Sequence, residues 1–217
     1  MSTTSLPGPT VVALGRQVES HVELLGTAFF VQEGRFATTS HVVGGADQNL
    51  VLVVGPPEQD GFQDTTNSNV RMIPAQIHAA DPYRDLCVLS IDGIQGMLPP
   101  LIASADDLSP GEPVVLFGYP HANAGRHVLT RQTADVGARV LLSAGPGTSK
   151  NVVLNIQAQP GQSGSPVISA VTGRIAAVLV GSFVPGSGGG IRLGTIDPMT
   201  LHQTTHAVSA HYIQEMI

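Results

Sequence analysis

Short apolar runs, separated at close intervals by glycine, proline, asparagine and aspartate, restrict the fold of this 217-residue chain more than any other feature. Such runs are typical of β-strands joined by turns, and their spacing favours a sandwich or a barrel. Valine, isoleucine and phenylalanine enrich them, as strands prefer. The pattern predicts strands at residues 10–14, 24–31, 35–39, 50–54, 70–78, 86–91, 113–117, 128–133, 138–142, 152–157, 166–169, 175–180 and 191–195.

Two quieter segments interrupt this pattern. Residues 55–69 form a long polar stretch that predicts a surface loop, and residues 98–112 carry three prolines and predict a connector. We therefore expect one all-β unit in two halves, with the first half at about 10–97 and the second at about 113–200. A C-terminal helix is predicted at 198–217, where the spacing of the apolar residues suits a helix packed on the body: Leu201, Ala207, Ala210 and Ile213.

The composition excludes several classes of function. Charged residues make up only 12% of the chain, the net charge is −6 and Lys150 is the only lysine, so a nucleic-acid partner is not expected. Cys87 is the only cysteine, which excludes an intramolecular disulfide and a cysteine-rich metal site. No signal-peptide pattern and no run of about 18 apolar residues occurs. The sequence thus predicts a cytoplasmic protein with no membrane partner.

The segment Pro-Gly-Gln-Ser-Gly-Ser-Pro at 160–166 places Ser163 among small residues, directly before an apolar run. A nucleophilic serine needs such a setting, because small neighbours let a substrate backbone approach and glycine permits the tight turn. The N–H groups of Gly161 and Ser163 could then stabilise a tetrahedral oxyanion. The alternative interpretation is an ordinary turn rich in glycine and serine.

Two further residues are ambiguous when taken singly. His41 ends an apolar run in Thr-Thr-Ser-His-Val-Val, where a lone histidine is more often structural. Asp85 opens the run Asp-Leu-Cys-Val-Leu, so its carboxylate is expected to be partly buried. A buried carboxylate without a partner is costly, which favours a hydrogen-bonded neighbour such as an imidazole.

Taken together, these three segments resemble the trypsin-like serine peptidases, and their HtrA-like branch in particular. The family carries T-x-x-H-V-V, then D-[LI]-A-V-L, then G-x-S-G-[GS]-P, and this chain has TTSHVV, DLCVL and GQSGSP in that order. The resemblance implies two six-stranded antiparallel β-barrels with the active site between them. It also implies a catalytic triad of His41, Asp85 and Ser163, a polypeptide substrate, and no cofactor or metal.

The chain departs from the family pattern at informative positions. Animal enzymes have an aspartate before the nucleophile, which pairs with a new N-terminus after zymogen cleavage, and this chain has Gln162. We therefore expect no activation by such cleavage, and control by a regulatory protein partner instead. The usual C-terminal peptide-binding domain of HtrA-like enzymes is not seen, and the composition hints at a bacterial source.

The resemblance also predicts where substrate side chains bind. Gln157 is expected near the floor of the primary pocket, and the absence of an acidic residue there favours small or medium apolar side chains. The walls are expected to be formed by Ala158, Leu179, Val180, Gly181 and the segment 188–190.

Three alternatives stay open. Arg192 favours an acidic substrate side chain if it points inward, although solvent exposure is the simpler interpretation. His202 and His206 have a helical spacing that can bind zinc, but no acidic partner completes the motif, so we predict no metal. A non-catalytic peptide-binding module on the same fold is the alternative function.

Overall fold

The computed structural model describes residues 11–93, 98–183 and 204–217, and this part of the chain is mostly β-structure. The predicted strand at 191–195 lies outside these residues. Most of the other predicted runs match observed strands, which are β1 (Val11–Val18), β2 (His21–Gln32), β3 (Arg35–Thr38), β4 (Leu50–Val54), β5 (Arg71–Pro74), β6 (Gln76–Asp81), β7 (Leu86–Ser90), β8 (Pro113–Gly118), β9 (Thr130–Ala144), β10 (Gly147–Leu154), β11 (Pro166–Ser169), β12 (Ile175–Phe183) and β13 (Thr204–Ser209).

The first half forms one antiparallel sheet in the order β5-β4-β1-β2-β3-β7-β6. Only Ala75 separates β5 from β6, so these edge strands are two parts of one bent strand, predicted as a single run at 70–78. Because Pro74 has no N–H to donate, the ladder breaks there and the chain changes partner from β4 to β7. The two edges of the sheet are therefore joined through the chain, and the sheet is barrel-like with six strands.

The second half is a closed barrel of six strands in the order β10-β13-β12-β11-β8-β9. The predicted runs at 128–133 and 138–142 belong to one strand, β9, which continues through the intervening residues. Its residues 130–135 pair with β8, and its residues 136–144 pair with β10. The all-β class and the trypsin-like arrangement of two barrels are thus confirmed.

The extent of the predicted C-terminal helix is wrong. Residues 204–209 form β13, which pairs with β10 on one side and with β12 on the other. A six-residue 3-10 helix, Ala210–Glu215, follows it. The apolar spacing is shared between these two elements, because Ala207 is buried on the strand and Ala210 and Ile213 on the helix. Closing the barrel outweighs the local helical pattern.

Each barrel has its own apolar core, and a third cluster joins the two. This interface cluster contains Phe29 and Leu86 of the first half and Ile168, Val178 and Tyr212 of the second. Burial of this apolar cluster fixes the position of one barrel relative to the other. Residues that lie where the two barrels meet are thereby held in place. Among the described residues, no helix has the length and apolar character needed to cross a membrane.

Candidate active site

The pairing of β3 with β7 brings two of the predicted site residues together. The strands are antiparallel, and Thr38 lies opposite Cys87, so the residues after β3 meet the residue before β7. The chain after β3 turns into a short helix, α1 (Ser40–Val43), which carries His41. Asp85 precedes β7 with a φ of +57°, a left-handed conformation that aspartate tolerates better than most residues.

Asp85 contacts His41 at two points. One carboxylate oxygen, Oδ2, lies 2.5 Å from the imidazole Nδ1, and Oδ1 accepts a hydrogen bond of 2.8 Å from the His41 backbone N–H. The Asp85 side chain is 25% exposed and the His41 side chain 50% exposed, so the imidazole stays open to a ligand. The carboxylate fixes the ring orientation and leaves Nε2 as the free ring nitrogen.

Ser163 lies in a turn formed by residues 159–165, called here the serine turn. The turn is joined to the second barrel by hydrogen bonds from Gly164 N–H to Leu179 O (2.8 Å) and from Leu179 N–H to Ser165 O (2.9 Å). The N–H of Thr27, on β2 of the first sheet, donates to Ser163 O at 2.9 Å. The serine turn is therefore held by both barrels.

The hydroxyl of Ser163 donates to the carbonyl oxygen of Val180 at 3.0 Å. Among the hydrogen bonds of the described residues, none joins this hydroxyl to His41. Gly26 separates the two segments, because a Cβ there would lie 2.9 Å from the Val42 side chain and 3.1 Å from Ser163 O. The structure therefore brings the three predicted residues to one place, with the hydroxyl turned toward β12.

The serine turn directs two N–H groups away from internal acceptors. Within the described chain, neither Gly161 N–H nor Ser163 N–H donates a hydrogen bond, although the neighbouring N–H of Gln162 bonds Gln159 O at 3.1 Å. Gly161 has a φ of +91°, and a Cβ there would lie 2.5 Å from Tyr119 O, so only glycine fits. Two free N–H groups beside a serine hydroxyl are suited to binding an oxyanion.

The side chain of Gln162 is buried, and both its nitrogen and its oxygen have a hydrogen-bond partner. Its Nε2 donates to Gln132 Oε1 at 2.5 Å, and its Oε1 accepts a bond of 2.7 Å from Gln159 N–H. The residue is 1% exposed, so a neutral amide with two partners occupies this position at little cost.

The predicted substrate-contacting residues have different environments. Val180 and Gly181 are half-buried, and a Cβ on Gly181 would lie 3.8 Å from Ser163 Oγ, so this part of β12 borders the site. Leu179 is 1% exposed and packs inside the second barrel, so it contributes its backbone rather than a pocket wall. Gln157 is exposed, and Ala158 is half-buried with its N–H bonded to Thr205 Oγ1.

Other predicted positions are only partly described. The segment 188–190, Arg192 and His202 lie outside the described residues. His206 lies on β13, so the predicted helical pair with His202 is not formed as a helix pair. No group of three or more metal-ligating side chains occurs in the described ranges.

Sequence reasoning missed the residues that hold the serine turn from a distance. Thr27 and Gln132 contact the turn through side-chain hydrogen bonds, and each comes from a strand far away in the chain. Thr27 lies in the segment Gly-Thr-Ala-Phe-Phe, which is a recognisable strand signal but gives no indication of this contact.

Comparison with known proteins shows that the chain belongs to the trypsin-like peptidases. A family profile described as "Trypsin-like peptidase domain" matches residues 26–178. The serine protease PepD of Mycobacterium tuberculosis is 30% identical over 172 residues, and the match covers 74% of this chain and 34% of PepD. The serine protease Rv3671c of the same species is 25% identical over 168 residues, which covers 74% of this chain and 37% of the relative. The chain thus spans about a third of the length of these relatives.

Solved structures share the fold. The protease domain of MamO from Magnetospirillum magneticum has a TM-score of 0.65 at 18% identity, covering 96% of each chain. Rv3671c in its active form has a TM-score of 0.64 at 20% identity, covering 96% of this chain and 79% of that one. The HtrA-type protease AlgW, solved with a decapeptide, has a TM-score of 0.64 at 20% identity and covers 95% of this chain and 62% of AlgW.

Proposed function

Since the chain belongs to the trypsin-like peptidase family, we propose that it is a serine endopeptidase with Ser163 as nucleophile, His41 as general base and Asp85 as the residue that orients His41. The observation that carries this proposal is the double contact of Asp85 with His41, through Nδ1 and through the backbone N–H. A surface histidine with a purely structural role does not need one carboxylate to bind both its backbone N–H and its ring Nδ1. This contact leaves Nε2 as the ring nitrogen that can take a proton.

The reaction then follows from the groups in place. Ser163 Oγ attacks the scissile carbonyl carbon and passes its proton to His41 Nε2, while the carbonyl oxygen becomes an oxyanion. The free N–H groups of Gly161 and Ser163 bind this oxyanion. His41 gives the proton to the leaving amine as the peptide C–N bond breaks. Water, deprotonated by His41, then attacks the acyl carbon, and the ester bond breaks as His41 returns the proton to Ser163 Oγ.

The hydroxyl of Ser163 must turn before it can attack. It donates to Val180 O, and rotation about its Cα–Cβ bond would redirect it to His41. One hydrogen bond is worth about 0.5–1.5 kcal/mol, so substrate binding on β12 can readily exchange it. Regulation by a protein partner fits this resting state and stays a proposal.

Activation without zymogen cleavage is a further part of the proposal. The amide of Gln162 has its partners, Gln132 and Gln159, within the chain. No charge needs to be supplied to this buried position by a new N-terminus. Location in the cytoplasm and a bacterial source stay predictions.

A groove of about 600 Å³ lies along the first half of β2. Leu24, Met72 and Val128 line it, and β2 leads from Leu24 to Gly26, which borders Ser163. Its lining combines apolar side chains with polar ones such as Asp64 and Arg126, which suits an unfolded polypeptide chain that carries both kinds of side chain. We propose that it binds the substrate chain.

Fluorophosphonate labelling tests the proposal. The wild-type chain should be labelled at Ser163, and Ser163→Ala should abolish both labelling and casein hydrolysis. Ser143→Ala removes an exposed serine on β9 and serves as the matched control, with labelling retained. Asp85→Asn should lower the labelling rate strongly, because the imidazole loses its orientation.

The alternative, a non-catalytic peptide-binding module, is favoured by one observation, the bond of Ser163 to Val180 instead of His41. A binding module and a peptidase give different results in the labelling and cleavage assays. If the wild-type chain binds an unfolded polypeptide but is neither labelled nor able to cleave it at any pH between 6 and 9 (roughly the range in which a histidine base is neutral), the module replaces the enzyme.

A further inference from the structure

The turn that carries Ser163 is held by one buried hydroxyl from the opposite barrel. We propose that Thr27 is a positioning residue that sets the oxyanion site by fixing the Gly161–Gln162 peptide, an inference that rests on the proposed peptidase function. Thr27 Oγ1 donates to Gly161 O at 2.9 Å and accepts a hydrogen bond of 3.1 Å from Tyr119 N–H. Thr27 is fully buried, so neither bond competes with water.

Every polar group of Thr27 is used in holding this region. Its N–H donates to Ser163 O at 2.9 Å, and its carbonyl oxygen accepts a bond of 2.7 Å from Thr38 Oγ1. One residue therefore connects β2, β3, the end of β8 and the serine turn. A side chain that served only to fill space would have no need of a hydroxyl here.

The peptide planes around Gly161 explain why this contact matters. A glycine at φ +91° lets the adjoining peptides rotate easily, so its own conformation does not fix them. A peptide is planar, and its C=O and N–H point in opposite directions, so a hydrogen bond to the C=O also sets the N–H.

Each of three consecutive peptides is held in this way. Pro160 O accepts a bond of 2.6 Å from His121 N–H, which directs Gly161 N–H. Gly161 O is held by Thr27 Oγ1, and Gln162 O accepts a bond of 3.0 Å from Ser165 N–H, which directs Ser163 N–H. Thr27 is the only contributor to this set that acts through a side chain.

The oxyanion site is therefore formed by uncharged groups alone. The partners of the serine turn in this set are hydroxyl and backbone groups, and Gln162 itself is an uncharged amide. Removal of the Thr27 hydroxyl leaves Gly161 O and Tyr119 N–H buried without partners. Reorientation of the Gly161–Gln162 peptide relieves this cost, although it also strains the bond from Gln162 N–H to Gln159 O. Because this peptide lies between the two that carry the oxyanion donors, its rotation shifts both donors.

Thr27→Val tests this, because valine has the same shape and lacks the hydroxyl, while Thr27→Ser keeps the hydroxyl and loses only a methyl group. Against a peptide substrate, Thr27→Val should lower kcat by about 10²–10³-fold, the effect of losing one oxyanion donor, with KM little changed. Thr27→Ser should restore most of kcat. The affinity for a peptide boronate should fall with kcat/KM, because this inhibitor uses the oxyanion site.

Ser209→Ala is the matched control for loss of a buried hydroxyl. Ser209 is fully buried, and its hydroxyl accepts from Ala105 N–H at 2.8 Å and bonds His211 Nδ1 at 2.7 Å, neither of which belongs to the serine turn. The Ser209→Ala variant should lose about as much unfolding free energy in urea as Thr27→Val, but it should keep the wild-type kcat. A Thr27→Val enzyme that keeps the wild-type kcat, or loses activity only through KM, would overturn the inference.

Hydrogen exchange separates this inference from the proposed function. Thr27→Val should increase amide exchange in a peptide covering 159–165, and Ser209→Ala should not. If the wild-type chain cleaves nothing and is not labelled, the peptidase proposal fails, and unchanged exchange in Thr27→Val would independently refute the role of Thr27.

Discussion

Gly164, the residue after Ser163, offers a direct test of how closely the two barrels approach at the site. Its φ is +88°, and a Cβ there would overlap the Thr27 carbonyl oxygen and lie 2.5 Å from Thr38 Oγ1. That carbonyl belongs to β2 and already accepts a bond from Thr38, so it cannot rotate away. Gly111 has nearly the same φ, +85°, but a Cβ at that position would meet nothing within 4 Å, which makes Gly111→Ala the control for Gly164→Ala.

The expected magnitudes follow from two separate costs. A positive φ costs a non-glycine residue about 1–2 kcal/mol, and the reduced freedom of the unfolded chain returns about 0.4–1 kcal/mol. Both alanine variants carry this backbone cost, so Gly111→Ala should lose about 1 kcal/mol of unfolding free energy. The overlap in Gly164→Ala forces β2 or the serine turn to shift, which adds about 1–3 kcal/mol.

Urea unfolding followed by far-ultraviolet circular dichroism measures both variants, since the chain has no tryptophan for fluorescence. The midpoint should fall further for Gly164→Ala than for Gly111→Ala at an unchanged slope m. Labelling of Ser163 should also fall in Gly164→Ala alone, because the shift moves the neighbouring residue. Equal midpoints for the two variants, or normal labelling of Gly164→Ala, would refute the close approach of the barrels.

Three further predictions concern other parts of the chain. The Gln63 side chain bonds both N–H and C=O of Leu129 at 2.8 Å, so Gln63→Leu should free the 55–70 loop and speed exchange of the Leu129 amide; unchanged exchange would contradict this. Burial raises the pKa of Cys87 to about 12, so its thiol should resist a disulfide reagent at neutral pH until urea unfolds the chain, and rapid reaction of the native protein would be inconsistent with this burial. Burial lowers the pKa of His127 below its usual 6.5, so the unfolded chain takes up a proton first and stability falls as the pH drops below 6.5. His127→Phe should flatten that part of the stability curve, whereas His78→Asn, at an exposed position, should not; equal slopes in the two variants would refute the assignment.

The strands were largely readable from the sequence because their signal is local. Apolar runs bounded by turn residues predicted most of the observed strands, and the run at 50–54 matches β4 at both ends. The errors lie where a distant partner decides the conformation. The run at 70–78 is divided at Pro74 because two different strands pair with its halves, and 204–209 is a strand because the barrel needs it between β10 and β12.

The candidate site also combines features that the sequence predicts with features that only the tertiary structure decides. The sequence alone determined the identity of the three predicted triad residues, since each lies in a short motif whose order and flanking strands are local properties. The tertiary structure decided the contacts that orient them. Asp85 meets His41 across 44 residues, and the Thr27 hydroxyl meets Gly161 across 134 residues. The sequence pattern records neither contact, because each arises only when the chain folds. The pairing of β3 with β7 brings Asp85 to His41, and the packing of the two barrels places Thr27 and Gly161 together out of reach of water.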